Sequence, residues 1–311
     1  MVSKSLLPSS VTLPPWRAAI HLRAEYRDEK TAIRRQRAEG PLQIQKVLYP
    51  EGGDIAHVFL LHPPSGIAQE DELDIQIEAD EFSHSLYATP GATRWYKSSA
   101  QALCPARQLT QLNVRGGATL EWLPYENLYF DQTWAENQLT IKIESGSRLL
   151  GWDLHQFGRT SCHEPWAGGR VHNALAFYLD DELFWTETGS WTQASIARSD
   201  DHHHLGSFSI TGSLWAYGPT LSDEHYETLA ASLPYDDVCI AGLSQINAPR
   251  TTQQDVGTFS SDTPIKPESL VVMRLLSNDP ERARQVCERT RAALRPLMIG
   301  KSASDLRIWA T

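Results

Sequence analysis

Short segments of two-residue periodicity dominate this sequence, and they constrain its fold more than any other feature. Leu42–Tyr49, Ile55–His62, Leu73–Ala79, Leu139–Glu144, Ala174–Leu179, Phe208–Trp215 and Leu270–Leu276 are short apolar or alternating runs separated by Gly, Pro, Asn or Asp clusters. Successive side chains of an extended strand point to opposite faces, so runs of this kind predict strands with one face inward. The expected fold is therefore mainly β.

Two segments depart from this period. In SDEHYETLAASLP, Tyr226, Leu229, Ala230 and Leu233 recur at helical spacing, with Ser222 as N-cap and Pro234 as the stop. In NDPERARQVCERTRAALRP, Asp279 caps, Pro280 takes the first helical position, and Ala283, Val286, Cys287, Thr290 and Leu294 form one face. Pro296 is expected to close that helix, and Arg282, Arg284, Arg289 and Arg291 to form its solvated face. Asn247–Ser269 is polar, proline-containing and aperiodic, and reads as a long mobile loop between two strands. No composition shift marks a boundary, so a single domain over residues 1–311 is expected, with residues 1–15 fraying.

A chain of 311 residues, 41% of them hydrophobic, can bury a substantial core. Lys and Arg total 28 against 38 Asp and Glu, a net −10, which argues against capture of nucleic acid or anionic membrane by bulk charge. Cys104, Cys162, Cys239 and Cys287 form no CxxC pair, which suits a reducing cytoplasm better than a zinc ribbon or a disulfide framework. The proline-broken N-terminus does not read as an export signal, and no apolar run approaches the roughly 20 residues of a membrane span.

The chain has no GxSxG, no P-loop, no HExxH and no GxGxxG after a strand. Asp71, Glu121, Asp153 and Glu187, with ten tryptophans to stack sugars, leave open a carbohydrate-active β-rich enzyme working through paired carboxylates. His202, His203 and His204, beside two aspartates, would suit a Ni, Zn or Cu site. Consecutive histidines lack a fixed convergent geometry, however, and a solvated loop is the preferred reading. Cys162-His163 is weighed the same way. Glu121 stands among apolar neighbours in LEWLPYE, where a carboxylate requires a partner such as Arg or Lys. Pro90-Gly91 in ATPGATRWYKS predicts a type II turn.

The ordered motifs are GPL at Gly40, YPEG at Tyr49, HPPSGIAQED at His62, ATPGATRWYKS at Ala88, LEWLPYE at Leu120 and Phe130-Asp131. Trp152-Asp153, Phe157-Gly158-Arg159, Arg295-Pro296 and RIWAT at Arg307 follow. In order and spacing they resemble the UreD (UreH) family of urease accessory proteins over nearly the whole chain. ENLYFDQ, which looks like a protease-cleavage tag, falls in register with the family's own LEWLPQE segment and reads as native sequence. Ser65, Gln69 and Glu70 replace family glycines, so any positive φ in that loop must be adopted by residues carrying a Cβ.

The resemblance implies a non-enzymatic scaffold of stacked sheets in a helical, solenoid-like arrangement with about two α-helices. It implies direct binding to UreF, engagement of the GTPase UreG through UreF, and docking on apo-urease. By matching motif position it assigns Asp71, Thr93, Asp153 and Glu187 to the lining of an internal passage for Ni²⁺. The ion would be transient cargo there, with no tightly bound cofactor, because oxygen ligands hold a divalent ion weakly enough to release it.

Overall fold

The computed structural model describes residues 15–196, 205–249 and 267–306. The expectations for residues 1–14, the His202–His204 run, residues 250–266 and RIWAT at Arg307 lie outside the described residues. The strands flanking 250–266 end at Asn247 and begin at Glu268, as expected for a connection between strands.

The chain opens with the hairpin β1 (Arg17–Arg27) and β2 (Lys30–Glu39), followed by β3 (Gln43–Ile44), β4 (Ile55–Leu61), β5 (Glu72–Ala79) and β6 (His84–Ala88). Next come β7 (Thr93–Trp95), β8 (Ala106–Val114), β9 (Thr119–Leu123), β10 (Asn127–Tyr129), β11 (Thr133–Ile143) and β12 (Arg148–Phe157). After β13 (Gly169–Leu179) and β14 (Glu182–Thr192), a single helical turn α1 (Gln193–Ile196) precedes β15 (Ile210–Pro219) and α2 (Asp223–Ala231). The antiparallel pair β16 (Cys239–Asn247) and β17 (Glu268–Ser277) leads into α3 (Pro280–Met298).

These strands build two open sheets. The first runs β14-β13-β11-β8-β5-β1-β2, and the second β16-β17-β15-β12-β9-β6-β4-β3, with β10 beside β12 and β7 beside β10. From β4 onward the long strands alternate between the sheets, β4 in the second, β5 in the first, β6 in the second, and so on to β13. Every such step returns the chain in the same direction, so β1, β5, β8, β11 and β13 pair in parallel. The same holds for β4, β6, β9 and β12.

Burial follows from the layers. The inner faces of both sheets share one apolar cluster, which includes Ile20, Ile77 and Ile141 of the first sheet and Val58, Tyr87 and Trp215 of the second. The outer face of the second sheet carries another cluster, in which Leu123, Trp152 and Met273 meet Val286, Leu294 and Met298 of α3. The second sheet is thus covered twice, and β4 and β17 are almost continuously buried, whereas β5 alternates residue by residue because the first sheet has one face in water.

Local signals place the helices. Ser222 accepts the His225 N–H at the start of α2. Asp279 accepts the N–H groups of Glu281 and Arg282 ahead of Pro280 at the start of α3. Some expectations are corrected. Leu42–Tyr49 contains only β3 and an isolated bridge at Leu48, and α1 was not foreseen. Gly91 does not take the positive φ of a type II turn. The Thr89 hydroxyl, donating to Gly91 O at 2.9 Å and accepting from Tyr125 N at 2.9 Å, sets that loop instead.

Pro296 lies inside α3 rather than ending it. The helix continues for another half-turn because Arg295 is anchored by its side chain, and its carbonyl accepts the N–H groups of Ile299 and Gly300. Gly300, at φ +80°, then turns the chain away. Arg291 leaves the solvated face assigned to it and is buried with Arg295.

The anchor is an ionic cluster between α3 and the second sheet. Glu121, fully buried on β9, accepts from His84 Nε2 at 2.9 Å, Arg295 Nη2 at 2.9 Å and Arg291 Nη2 at 3.2 Å. Arg295 also meets Glu51 Oε2 at 2.7 Å, and Glu51 Oε1 lies 2.8 Å from His57 Nε2. The two guanidinium groups further donate to the carbonyls of Ser302 and Ser304, tying down the segment after the helix. Burial alone would raise the Glu121 pKa. The His84 hydrogen bond and the charges of Arg291 and Arg295 outweigh it and hold the pKa at about 2.

The glycine substitutions noted in HPPSGIAQED have a visible consequence. Ser65 and Glu70 both sit at φ +66°, so the loop keeps left-handed backbone without glycine. Gln69 Oε1 and Glu70 Oε1 accept the N–H groups of Ser99 at 2.6 Å and Leu103 at 2.7 Å, contacts a glycine could not supply. Gly66 is different. A Cβ there would fall 2.5 Å from the Tyr96 ring and 2.8 Å from Arg94 O, so close packing excludes any side chain.

Three outcomes are expected. Removing one partner of a buried ion pair strands the other charge, so Arg295→Ala should cost about 3–5 kcal/mol in urea unfolding. The depressed Glu121 pKa contributes stability that is complete above its unfolded value of about 4.3 and is lost as pH falls toward the folded value. Glu121→Gln should flatten that part of the acid unfolding profile, and an unchanged profile would remove Glu121 as its source. Thirdly, Ser65→Gly should raise stability by about 1 kcal/mol by relieving left-handed strain, read as an increase in Tm.

Candidate functional site

Strand β12 supplies the centre of the site. On it Leu149, Gly151, Asp153, His155 and Phe157 share the face toward the first sheet, while Leu150, Trp152 and Leu154 face the helical layer. Gly151 is required by packing, because a Cβ there would lie 2.2 Å from the Trp215 ring. A carboxylate and an imidazole therefore project, two residues apart, into what would otherwise be apolar core.

They do not enter dry packing. A cavity of about 500 Å³ lies between the sheets, lined by Leu60 and Trp122 of the second sheet, Ile75, Thr110 and Asn137 of the first, the loop at His62, and Thr93 at the start of β7. A smaller cavity of about 80 Å³ is lined by His155, Asn173, Glu187 and Ser213. Asp153 lines both.

Asp153 is held in place by amides. Its Oδ1 accepts from Asn127 Nδ2 at 2.8 Å and its Oδ2 from Asn137 Nδ2 at 3.1 Å. Trp95 Nε1 donates to Asn127 Oδ1 at 3.0 Å, and Gln108 Nε2 donates to Asn137 Oδ1 at 3.3 Å, so each amide has its carbonyl occupied and its NH₂ turned to the carboxylate. His155 Nε2 lies 3.3 Å from Asp153 Oδ2, and its Nδ1 is 3.2 Å from the Tyr129 hydroxyl. Tyr129 is fully buried between Trp95 and Phe157 and donates to Asn173 Oδ1 at 3.0 Å. Burial, and then the negative charge of Asp153, push its phenol well above the ordinary range.

The expected passage residues separate into groups. Thr93 lines the large cavity, Glu187 lines the small one, and Asp153 lines both. Glu187 pairs through Oε1 with Arg274 Nε at 2.8 Å, while its Oε2 is buried without a hydrogen-bond partner. Asp71 stands apart from both linings. Its two oxygens accept the backbone N–H groups of Trp16 at 2.8 Å and Ala68 at 2.9 Å, which closes the loop before β5. His62 does line the large cavity, and burial lowers its pKa against the opposing charge of Asp71.

The same geometry removes the paired-carboxylate enzyme. Glu121 is enclosed by arginines and Asp71 by backbone N–H groups, so neither is available as acid or nucleophile. The cavity shared by Asp153 and Glu187 is far below the roughly 300–1,000 Å³ of ordinary small-molecule pockets. Among the described residues, no group of three or more His, Cys, Asp or Glu is placed to hold a metal ion, and no helix is long and apolar enough to cross a membrane. Cys104, Cys239 and Cys287 form no disulfide.

Sequence reading missed His155, Asn127, Asn137 and Asn173. The alternation along Leu149–Phe157 was a usable signal for His155, since it shares the face of Asp153. No local signal marks the asparagines, which reach the site from β10, β11 and β13.

Comparison with known proteins agrees with the motifs. The sequence profile described as "UreD urease accessory protein" matches residues 17–310. The chain is 36% identical to urease accessory protein UreD of Ralstonia nicotianae over 296 residues, covering 95% of this chain and 94% of that one. It is 36% identical to the protein of the same name from Cupriavidus necator over 311 residues, covering 98% of each. With that of Bordetella pertussis it shares 35% identity over 307 residues, covering 97% of this chain and 100% of the relative. The chain therefore belongs to the UreD family of urease accessory proteins, a family of accessory proteins and not of enzymes.

Proposed function

We propose that this chain is a urease-maturation scaffold that binds UreF, engages UreG through it, docks on apo-urease and conveys Ni²⁺ to the urease active site through its interior. The observation that carries this reading is the meeting of the two cavities at Asp153, with Thr93 on one side and Glu187 on the other. On this reading the exchange of strands between sheets is a short solenoid winding, and its partly polar interior is the passage.

The chemistry suits transit. Carboxylate, hydroxyl and amide oxygens are weak ligands for nickel, and conduction requires sites an ion can leave. Buried polar atoms without protein partners, Thr110 Oγ1 on the large cavity and Asn173 Nδ2 and Glu187 Oε2 on the small one, provide places for water along the route. Hydration inside the passage lowers the cost of moving a divalent charge through the core.

The test is co-expression of the urease genes with Asp153→Ala or Glu187→Gln in this chain. Nickel content of purified urease is expected to fall several-fold while pull-down of UreF is unchanged. Full nickel content in both variants would overturn conveyance through the interior. Loss of UreF in both would assign the two residues to the scaffold instead.

A further inference from the structure

The hydrogen-bond network around Asp153 leaves one unusual contact. A neutral imidazole carries a single N–H. Tyr129 donates its proton to Asn173 Oδ1, so its oxygen must accept from His155 Nδ1, and that places the imidazole proton on Nδ1. The lone pair of Nε2 then faces the Asp153 carboxylate, two acceptors 3.3 Å apart. Turning the Asn173 amide over would reverse the Tyr129 bond and move the proton to Nε2, into the same gap. With the proton on Nδ1 the gap between Nε2 and Oδ2 is open to a metal cation, whereas with it on Nε2 that N–H fills the gap and an arriving ion would have to displace it.

We propose that Asp153 Oδ2 and His155 Nε2 form a two-ligand station for the transiting divalent ion, at the junction of the two cavities. The inference rests on the passage reading and names a ligand that reading lacks. Two ligand atoms about 2.1 Å from an ion and at right angles to each other are about 3.0 Å apart, close to the observed separation. The pair is preorganised. Asn127 and Asn137 hold the carboxylate, and Tyr129, itself clamped between aromatic rings, takes the other imidazole nitrogen as the outer partner that fixes a metal-binding histidine.

The small cavity decides what happens to the ion's water. At about 80 Å³ it holds only a few molecules, so an ion arriving from the larger cavity must exchange part of its hydration for protein ligands there. Asn173 Nδ2 and Glu187 Oε2, buried and unpartnered on that cavity, are placed to bond the remaining waters. One imidazole favours nickel over magnesium, calcium or manganese, whose preferred ligands are oxygens. With only two protein ligands, the station selects without trapping.

Full-length protein carrying His202, His203 and His204→Ala, so that the consecutive histidines cannot bind metal, is titrated with Co²⁺ as a paramagnetic probe and followed by proton NMR. The expected result is one exchangeable, hyperfine-shifted imidazole N–H signal that is absent in His155→Gln. Its absence from the parent protein, or its survival in His155→Gln, overturns the station. In cells at limiting nickel, His155→Gln should lower urease nickel several-fold with UreF pull-down intact, and excess nickel should restore it. Normal loading by His155→Gln while Asp153→Ala blocks it overturns the imidazole ligand alone, whereas normal loading by both overturns the passage.

Discussion

The buried pairing of Glu121 with Arg291 and Arg295 is the contact on which the rest of the architecture depends. The partners are 170 and 174 residues apart, and they join the last helix to the middle of the second sheet. With that helix in place, the second sheet is covered on both faces, and its apolar strands need no exposed edge of their own face. Glu51 and the carbonyls after α3 satisfy the remaining donors, so the charges enter the core as a closed set. Desolvation would otherwise make such a cluster strongly destabilising.

Family motifs that look unrelated in the sequence meet in this cluster. YPEG contributes Glu51, LEWLPYE contributes Glu121, and the C-terminal Arg-Pro contributes Arg295. Their common role is mechanical. They hold the outer layers, and the interior between the sheets is left free to be partly polar. The asparagines, Tyr129 and His155 can then surround Asp153 without having to stabilise the fold by apolar packing. The site is built from a strand whose outer face is anchored to α3 and whose inner face carries chemistry.

Much of this was legible in the sequence and some was not. The strand periodicity, both main helices and their caps follow from local geometry and appear where expected. The need for positive φ at Ser65 and Glu70 was visible as missing glycines. Arg291 was misplaced because a helical wheel cannot show that a carboxylate lies opposite it. Pro296 was read as a stop because proline usually ends helices, yet Arg295 is held by contacts that outweigh that local preference. The Pro90-Gly91 turn yielded to the hydroxyl of Thr89 for a similar reason.

The sequence by itself determined the family, through its ordered motifs, and the mainly β class, since backbone geometry fixes a two-residue period without reference to any neighbour. Only the tertiary structure decided which faces are buried twice, which arginines turn inward, and that Thr93 and Glu187 line two cavities that both border Asp153 while Asp71 serves a loop. Those outcomes depend on contacts between residues far apart in the chain, and local periodicity carries no information about which distant surface will meet it.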